Sequence, residues 1–224
     1  MAELVMIMGE SGSGKTASLR NFKAGEICVL NVAGKRLPFR NDWDKHVINN
    51  ARYSMIQRAV HSGQYKAYVV DDSQYLMAFE AFDRAKETGY NKFTEMAQNF
   101  YNMLMDCKTA TLWERKPDKS YVMTDKPIED TIVYFLHHID RAEDGTVKPK
   151  TQGKMLDDKL NVAGLFTTVL QADTDGNEFY FRTKTDGAST IKSPIGMFDQ
   201  AKIPNDLRAV DAIIREYYGM KGLK

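Results

Sequence analysis

The chain has 224 residues, of which 43% are hydrophobic, and its 31 Lys and Arg residues nearly balance 30 Asp and Glu residues, for a formal net charge of +1. This composition suits one domain with a substantial core and excludes a disordered or fibrous chain. A net charge near zero gives no overall attraction to nucleic acid or membranes, so any polyanion must meet a local patch. The two cysteines, Cys28 and Cys107, are too few for a disulfide framework and indicate a reduced, cytoplasmic protein.

Apolar runs bounded by polar turns predict strands along the chain. They cover residues 4–8, 27–30, 67–70, 131–136, 164–170 and 178–183. The first four runs are almost entirely apolar, as expected of strands covered on both faces. Because the first strand begins so near the amino terminus, we expect no signal peptide, and no run is long enough to span a membrane.

Helical periodicity appears between and after these strands. The predicted helices cover residues 54–63, 92–106 and 204–219, the last with Asn205 or Asp206 as its cap and Gly219 as its stop. Asp175 and Gly176 predict a hairpin turn between the last two strands. The sequence therefore predicts one α/β domain over 1–224, with a mainly parallel sheet flanked by helices, an antiparallel edge hairpin, and a surface insertion at about 112–130.

The stretch MGESGSGKTASLR, residues 8–20, directly follows the first predicted strand. Its spacing matches G-x-x-x-x-G-K-[ST], the phosphate-binding loop, and TASLR permits the helix that such a loop requires. Glycines let main-chain N–H groups close around phosphate oxygens, and the helix adds its positive end. Lys15 can reach the outer phosphates, and the Thr16 hydroxyl can ligate Mg²⁺. The predicted nucleotide-binding residues are Gly9, Glu10, Ser11, Gly12, Ser13, Gly14, Lys15, Thr16 and Ala17.

Two acidic residues follow the predicted strand 67–70. Asp71 comes at its carboxyl end, where open α/β sheets keep their ligands, and can hold Mg²⁺ opposite Thr16. Asp72 is expected to point elsewhere and could polarise an attacking water. The alternative for both acids is a cap on the following helix, because helix caps favour Asp.

His137 and His138 follow the strand 131–136. Adjacent strand residues face opposite ways, so at most one of the two can face a nucleotide. A histidine in that place could bond the terminal phosphate and report its presence. The alternative is a strand-end histidine with its hydrogen bonds satisfied, and a paired metal site is disfavoured because the side chains diverge.

Taken together, the loop and the segments VVDDSQYL, VYFLHH, KTQGKMLDDKL, LFTTVL and KSPIGMF with IPNDL resemble a phage family of small RecA-like ATP-binding proteins that includes core-only single-strand annealing recombinases. The resemblance covers nearly the whole chain except the insertion before Thr131. It implies a RecA-like P-loop ATPase core with ATP and Mg²⁺, a single-stranded DNA partner, and self-assembly into a ring or filament. It also implies that the protein acts in the host cytoplasm and has a single-strand DNA-binding protein as a partner. Of the two histidines, the resemblance favours His138 as the phosphate sensor.

The chain departs from this family at the catalytic base. RecA-type ATPases carry a glutamate just after the second strand, whereas this chain reads LNVAGKRLPFR there, with no acid before Asp42. We therefore expect slow hydrolysis, with Asp72 or Glu80 as a substitute base, or ATP acting mainly as a structural ligand. The expected activity is that of a DNA-stimulated ATPase that binds single-stranded DNA and promotes annealing or recombination.

A predicted loop at 140–159 follows the histidine strand directly and could order on a nucleic acid backbone. Its candidate DNA-binding residues are Arg141, Lys148, Lys150 and Lys154. Acidic neighbours balance this charge, so a solvated loop is the alternative. Residues 34–40 form a second basic patch, in which Phe39 is either a stacking surface or a packing anchor.

The resemblance also gives a role to the late strands. In RecA-like proteins a basic residue of one subunit approaches the phosphates held by the next, and Lys184, with Arg182 beside it, occupies that place here. Such a cation would stabilise charge that develops on the transferred phosphoryl group. The alternative is that both residues belong to the solvated face of an edge strand.

Three other functions remain open from the sequence. The first is a noncatalytic module that assembles when ATP binds. The second is a small-molecule kinase, for which Arg115 would be the lid arginine. The third is a GTPase, because TKTD at 183–186 imitates a guanine-reading motif, although DSQ after the strand-end acid lacks the glycine of a GTPase switch.

Overall fold

The computed structural model describes residues 1–152 and 160–223. The strands are β1 Glu3–Gly9, β2 Cys28–Asn31, β3 Val47–Asn49, β4 Ala67–Asp71, β5 Thr111–Arg115, β6 Tyr121–Pro127, β7 Ile132–Arg141, β8 Val147–Pro149, β9 Thr168–Thr174, β10 Phe179–Arg182 and β11 Lys202–Pro204. The α-helices are α1 Tyr53–His61, α2 Tyr75–Asp83, α3 Asn91–Lys108 and α4 Leu207–Tyr218. Short 3-10 helices cover Thr16–Asn21, Asp44–His46 and Val162–Leu165.

The fold is α/β, with a mostly parallel central sheet flanked by helices. Among the described residues the sheet runs in the order β11-β10-β9-β1-β7-β4-β2-β3, and β8 pairs with β7 outside this path. The pairs from β9 to β3 are parallel, whereas β10 pairs antiparallel with both β9 and β11. The carboxyl ends of β1, β4 and β7 therefore meet at one edge, where ligands of open α/β sheets bind.

Alternating side chains of the central strands belong to two hydrophobic clusters, one on each face of the sheet. Met6 and Met8 of β1 join α1 and α3 in the first cluster, while Val5 and Ile7 join α4 in the second. Both sets are buried because helices cover both faces, which explains the nearly all-apolar sequence of the inner strands. The antiparallel hairpin β9–β10 is present as predicted, although β11 and not β10 forms that edge of the sheet.

Local signals located the ends of α1, α3 and α4 to within a few residues, whereas α2 was not among the predicted helices. The Asp206 side chain caps α4 by accepting hydrogen bonds from the backbone N–H groups of Arg208 and Ala209, and Gly219 ends it with φ of 64°. The strand predicted at 164–170 was displaced: β9 covers Thr168–Thr174, because the residues before it form a 3-10 helix. Apolar character alone does not distinguish such a turn from a strand.

The predicted insertion at 112–130 folds largely as the hairpin β5–β6, a two-stranded sheet separate from the central one. Trp113 of this hairpin stacks on His61 of α1, with 4.5 Å between ring centroids. Both cysteines are free and buried, as their apolar surroundings indicated. No helix in the described part of the chain combines the length and the apolar character needed to cross a membrane.

Candidate functional site

The loop at residues 9–16 connects β1 to the first 3-10 helix at the ligand-binding edge of the sheet. Gly12 and Gly14 have φ of 83° and 88°, in the left-handed region that favours glycine. Gly9 has no room for a side chain, because a Cβ atom there would lie 2.6 Å from the Ala172 carbonyl oxygen. The glycine spacing thus meets a backbone requirement at each of these positions.

The helix after the loop is shorter than the sequence indicated. Thr16–Asn21 forms a 3-10 helix of six residues, and Phe22 after it is extended. The Ser18 hydroxyl donates a hydrogen bond to the Lys15 carbonyl at 2.6 Å, and the Ser18 N–H contacts the carbonyls of both Gly14 and Lys15. Side-chain bonds of this kind compete with regular helix. The positive end of so short a helix contributes little, and any bound anion would depend mainly on loop N–H groups and Lys15.

Lys15 is folded over the loop. Its ammonium group donates hydrogen bonds to the carbonyl oxygens of Gly9 and Glu10, at 2.8 and 2.7 Å. Burial lowers the pKa of Lys15 to about 8, against the opposite effect of the Asp72 and Asp71 carboxylates. The Lys15 side chain is thus a buried cation held by two carbonyl groups. An anion bound in the loop could take the place of these carbonyls as its hydrogen-bond partner.

Thr16 and Asp71 come together as predicted, although 55 residues separate them in sequence. The Thr16 hydroxyl donates to the Asp71 carboxylate, with oxygen distances of 2.9 and 3.2 Å. Burial and then the adjacent Asp72 charge raise the pKa of Asp71 to about 6, although the Thr16 hydrogen bond lowers it. The hydroxyl and carboxylate oxygens are hard ligands. Mg²⁺ is commonly bound by one or two such protein groups together with phosphates and waters.

Asp72 faces the same site as Asp71, so the expectation that it points elsewhere is wrong. The strand ends at Asp71, and Asp72 takes φ of 57°, so the alternation of side chains along β4 does not extend to it. Its carboxylate lies 2.5 Å from the Lys35 ammonium and 3.3 Å from His138 Nε2. Burial raises the pKa of Asp72, but the bonds from His138 and Lys35 outweigh burial and lower it to about 2.

The two histidines face opposite ways, as the geometry of a strand requires. His138 lines the cavity with Asp72, and its ring lies 6.1 Å from that of Tyr75. His137 is fully buried, and its two ring nitrogens lie 2.8 Å from the Ser73 hydroxyl and 2.6 Å from the Lys150 carbonyl. Burial lowers the pKa of His137 to about 4, so the ring is neutral and donates to Lys150.

A cavity of about 310 Å³ lies between the loop and the ends of these strands. Its lining includes Gly12, Lys15, Thr16, Lys35, Asp72 and His138. Lys35 was missed as a site residue, although it stands only four residues beyond the end of β2. The Asn31 side-chain amide holds this turn by donating to the Lys35 carbonyl at 2.6 Å.

Neither alternative catalytic residue from the sequence lines this cavity in the described part of the chain. Glu80 accepts hydrogen bonds from Asn99 at 2.7 Å and from Arg84 at 3.4 Å, in a partly buried position between α2 and α3. Arg115 lies in β5, on the separate hairpin. Glu80 as a substitute base and Arg115 as a lid arginine therefore have no support from their positions.

The predicted basic loop is partly a hairpin. Arg141 ends β7 and Lys148 lies in β8, which pairs antiparallel with β7. The backbone of Lys150 joins both histidines, because its N–H donates to the His138 carbonyl at 2.8 Å and its carbonyl accepts from His137. Lys154 lies outside the described residues. In the other basic patch, Phe39 packs edge-on against Trp43, which is the packing role and not the stacking one.

Lys184 and Arg182 lie away from the loop of their own chain. Arg182 pairs with Gln171 of β9, and Gln171 in turn pairs with Met8 of β1. Because β10 runs antiparallel to β9, Lys184 lies farther from the loop than Arg182 does. The Lys184 ammonium donates to the Asp199 carbonyl at 2.8 Å, and Arg182 pairs with Asp186 at 2.6 Å. We therefore expect a second subunit to be what brings Lys184 to a nucleotide.

Among the described residues no three His, Cys, Asp or Glu side chains cluster as a metal site of protein ligands alone would require. Thr16 and Asp71 instead offer a partial oxygen set that phosphates could complete. No protein-family model matches the chain, and a search of curated proteins gives no match.

Proposed function

We propose that the protein is a Mg²⁺-dependent P-loop ATPase whose nucleotide binds at loop 9–16 and whose partner is single-stranded DNA. The observation that carries the proposal is the meeting of Lys15, Thr16 and Asp71 at one edge of the sheet, around left-handed glycines. A buried ammonium, a hydroxyl and a carboxylate in this order fit a triphosphate and its magnesium.

Each residue has a task in this reaction. Lys15 exchanges its two carbonyl partners for phosphate oxygens, while Thr16 and Asp71 would hold Mg²⁺. Bound Mg²⁺ neutralises phosphate charge. His138 would contact the terminal phosphate, and Asp72 contacts the His138 Nε2 atom and the Lys35 ammonium.

Slow hydrolysis follows from the charge state of Asp72. A general base works best when its pKa is near the working pH, whereas the pKa of Asp72 is about 2. Asp72 can orient a water but accepts its proton poorly. This observation also favours the second candidate, an ATP-dependent assembly module with almost no turnover.

The DNA part of the proposal rests on the link between the basic hairpin and the site. The His137 side chain and the His138 backbone both contact the Lys150 backbone. If a terminal phosphate moved this part of β7, the hairpin would move with it. Arg141 and Lys150 project from exposed positions beside this link. Annealing or recombination is the activity that this arrangement would serve.

The test compares wild type, Lys15→Ala and the matched surface control Lys23→Ala in titrations with Mg-ATP. Loss of hydrogen bonds from a charged group should weaken binding by roughly 10- to 100-fold in Lys15→Ala, with no change in the control. Equal affinity for all three proteins would contradict the nucleotide site. Phosphate release with and without single-stranded DNA then separates the ATPase from the assembly module, which would release almost none in either case.

A further inference from the structure

A second concave surface continues from the nucleotide cavity. This groove of about 810 Å³ shares Ala17 and Phe179 with the cavity, and Arg20, Lys202, Pro204 and Asn205 form much of the rest. The groove therefore lies directly beside loop 9–16, on the other side of Ala17 and Phe179. We call it the Phe179 groove.

The chemistry at the two ends of the loop indicates which part of a nucleotide would enter. Lys15, Thr16 and Asp71 mark the end for the outer phosphates and Mg²⁺. Two other cavities adjoin the site at Lys35 and His138, which is also the outer-phosphate end. The Phe179 groove adjoins it at Ala17, the residue after Thr16, and is thus placed for the sugar and base.

Phe179 has the position of a stacking platform. Its ring is half exposed, and a Cβ atom built on Gly14 would lie 2.9 Å from Cδ1 of the ring, so the ring contacts the loop backbone directly. Isolated exposed aromatic side chains are common and need no explanation. This ring differs from them because it packs on the glycine that shapes the phosphate site.

Asn205 gives a second, independent observation. The residue is buried, and its side-chain nitrogen has no hydrogen-bond partner among the described residues, while its oxygen accepts from Arg20 at 3.1 Å. Arg20 also donates to the carbonyls of Ala17 and Asn205, at 3.0 and 2.8 Å, which holds the amide beside the loop. A buried donor without a partner is uncommon in proteins, and a ligand acceptor would complete it.

We propose that the Phe179 groove binds the base of a purine nucleoside triphosphate, with Phe179 stacked on the base and Asn205 donating to an acceptor of the base or sugar. This inference rests on the proposed nucleotide site. Purines are the favoured class because their larger ring gains more from stacking, so we expect ATP to bind more tightly than CTP.

The experiment measures the binding of Mg-ATP and of Mg-tripolyphosphate, which has no base. The proteins are wild type, Phe179→Ala, Phe179→Leu and the matched control Phe82→Ala, which removes another exposed phenyl ring on α2. We expect both Phe179 variants to bind ATP roughly 5- to 100-fold more weakly, with tripolyphosphate affinity unchanged and the control like wild type. Phe179→Leu keeps apolar contact with Gly14, so it guards against a loop that misfolds in Phe179→Ala.

The outcomes separate this inference from the proposed function. Unchanged ATP affinity in Phe179→Leu, or equal losses for ATP and tripolyphosphate, would overturn the base site while the phosphate site stands. Equal binding of ATP and tripolyphosphate by wild type would do the same. If wild type binds neither ligand, the phosphate site fails and the base site fails with it.

Discussion

Asp72 is the residue whose conformation departs furthest from what its sequence position suggested. Its left-handed backbone turns the carboxylate into the cavity, where it contacts both Lys35 and His138. Asp and Asn tolerate this conformation better than most residues do. The Asp72 side chain therefore joins the turn after β2 to strand β7, and its charge can be tested without changing the backbone.

We predict that Asp72→Asn slows ATP hydrolysis by about 10-fold or more and changes the affinity for Mg-ATP by less than about 3-fold. The amide keeps the backbone geometry but no longer fixes Lys35 and His138 by charge. Single-turnover hydrolysis and calorimetric titration measure the two quantities. Hydrolysis at the wild-type rate would show that Asp72 has no part in the reaction.

His137 makes the stability of the fold sensitive to acid. Burial lowers its pKa to about 4, whereas the ordinary value of 6.5 applies to the unfolded chain. Between these values the unfolded state binds a proton that the folded state does not, so the stabilising effect is complete above pH 6.5 and is lost as the pH falls towards 4. The full effect is on the order of 3 kcal/mol.

We therefore predict that His137→Gln flattens the fall in the free energy of unfolding between pH 6.5 and 4. Glutamine does not titrate, and its amide can still donate to the Lys150 carbonyl. Urea denaturation at several pH values measures the difference between the two proteins. Asp71, whose pKa is raised, acts in the opposite direction in both proteins and cancels in that difference. Parallel curves for both proteins would contradict the assignment.

At the scale of elements, two basic surfaces border the cavity at loop 9–16. The β7–β8 hairpin carries Arg141 and is followed directly by Lys150. The turn at 34–40 carries Arg36 and Arg40 along a cavity of about 640 Å³, and neither guanidinium has an ion pair or hydrogen bond within the described residues. Both surfaces touch the site, the first through the histidines and the second through Lys35.

We predict that single-stranded DNA binds the hairpin and that ATP strengthens this binding. Each phosphate contact on a single strand contributes about 0.7 to the slope of log affinity against log salt, so Arg141→Ala with Lys150→Ala should lower that slope by about 1.4. Arg36→Ala with Arg40→Ala removes the same charge and serves as the control. A change of slope in the control alone would move the DNA to the turn, and no change in either would contradict DNA binding at both.

At the scale of the whole molecule, β10 runs away from loop 9–16 of its own chain and carries Lys184 beyond its far end. Lys184 follows β10 at its far end from the loop and is held by the Asp199 carbonyl. A cation supplied by a neighbouring subunit can accelerate phosphoryl transfer by ~10³-fold or more. We expect Lys184 to reach a triphosphate through assembly with a second subunit.

We predict that mixing Lys15→Ala subunits with Lys184→Ala subunits restores part of the ATP hydrolysis that neither variant shows alone. Lys15→Ala lacks a working pocket but keeps Lys184, and the second variant has the reverse defect. Phosphate release across a series of mixing ratios measures the effect. A rate equal to the weighted mean of the two variants at every ratio would exclude action across an interface.

Features with a local signal were determined by the sequence itself. The buried strand before the loop, the glycines at positive φ, the Asp206 cap and the Gly219 stop each depend on residues a few positions apart. The meeting of Thr16 and Asp71 was also predictable, because carboxyl ends of parallel strands share one edge. These features follow from backbone geometry and periodicity.

The tertiary structure alone decided how side chains from distant segments meet. Lys35 lies against Asp72, and Phe179 packs on Gly14, because sheet order places β2 beside β4 and because the β9–β10 hairpin adds to the side of β1. No local period encodes such pairs, since they depend on strand register and on the turn that each chain segment takes beyond its strand. For the same reason the position of Asp72 could not be derived from alternation along β4, which ends one residue earlier.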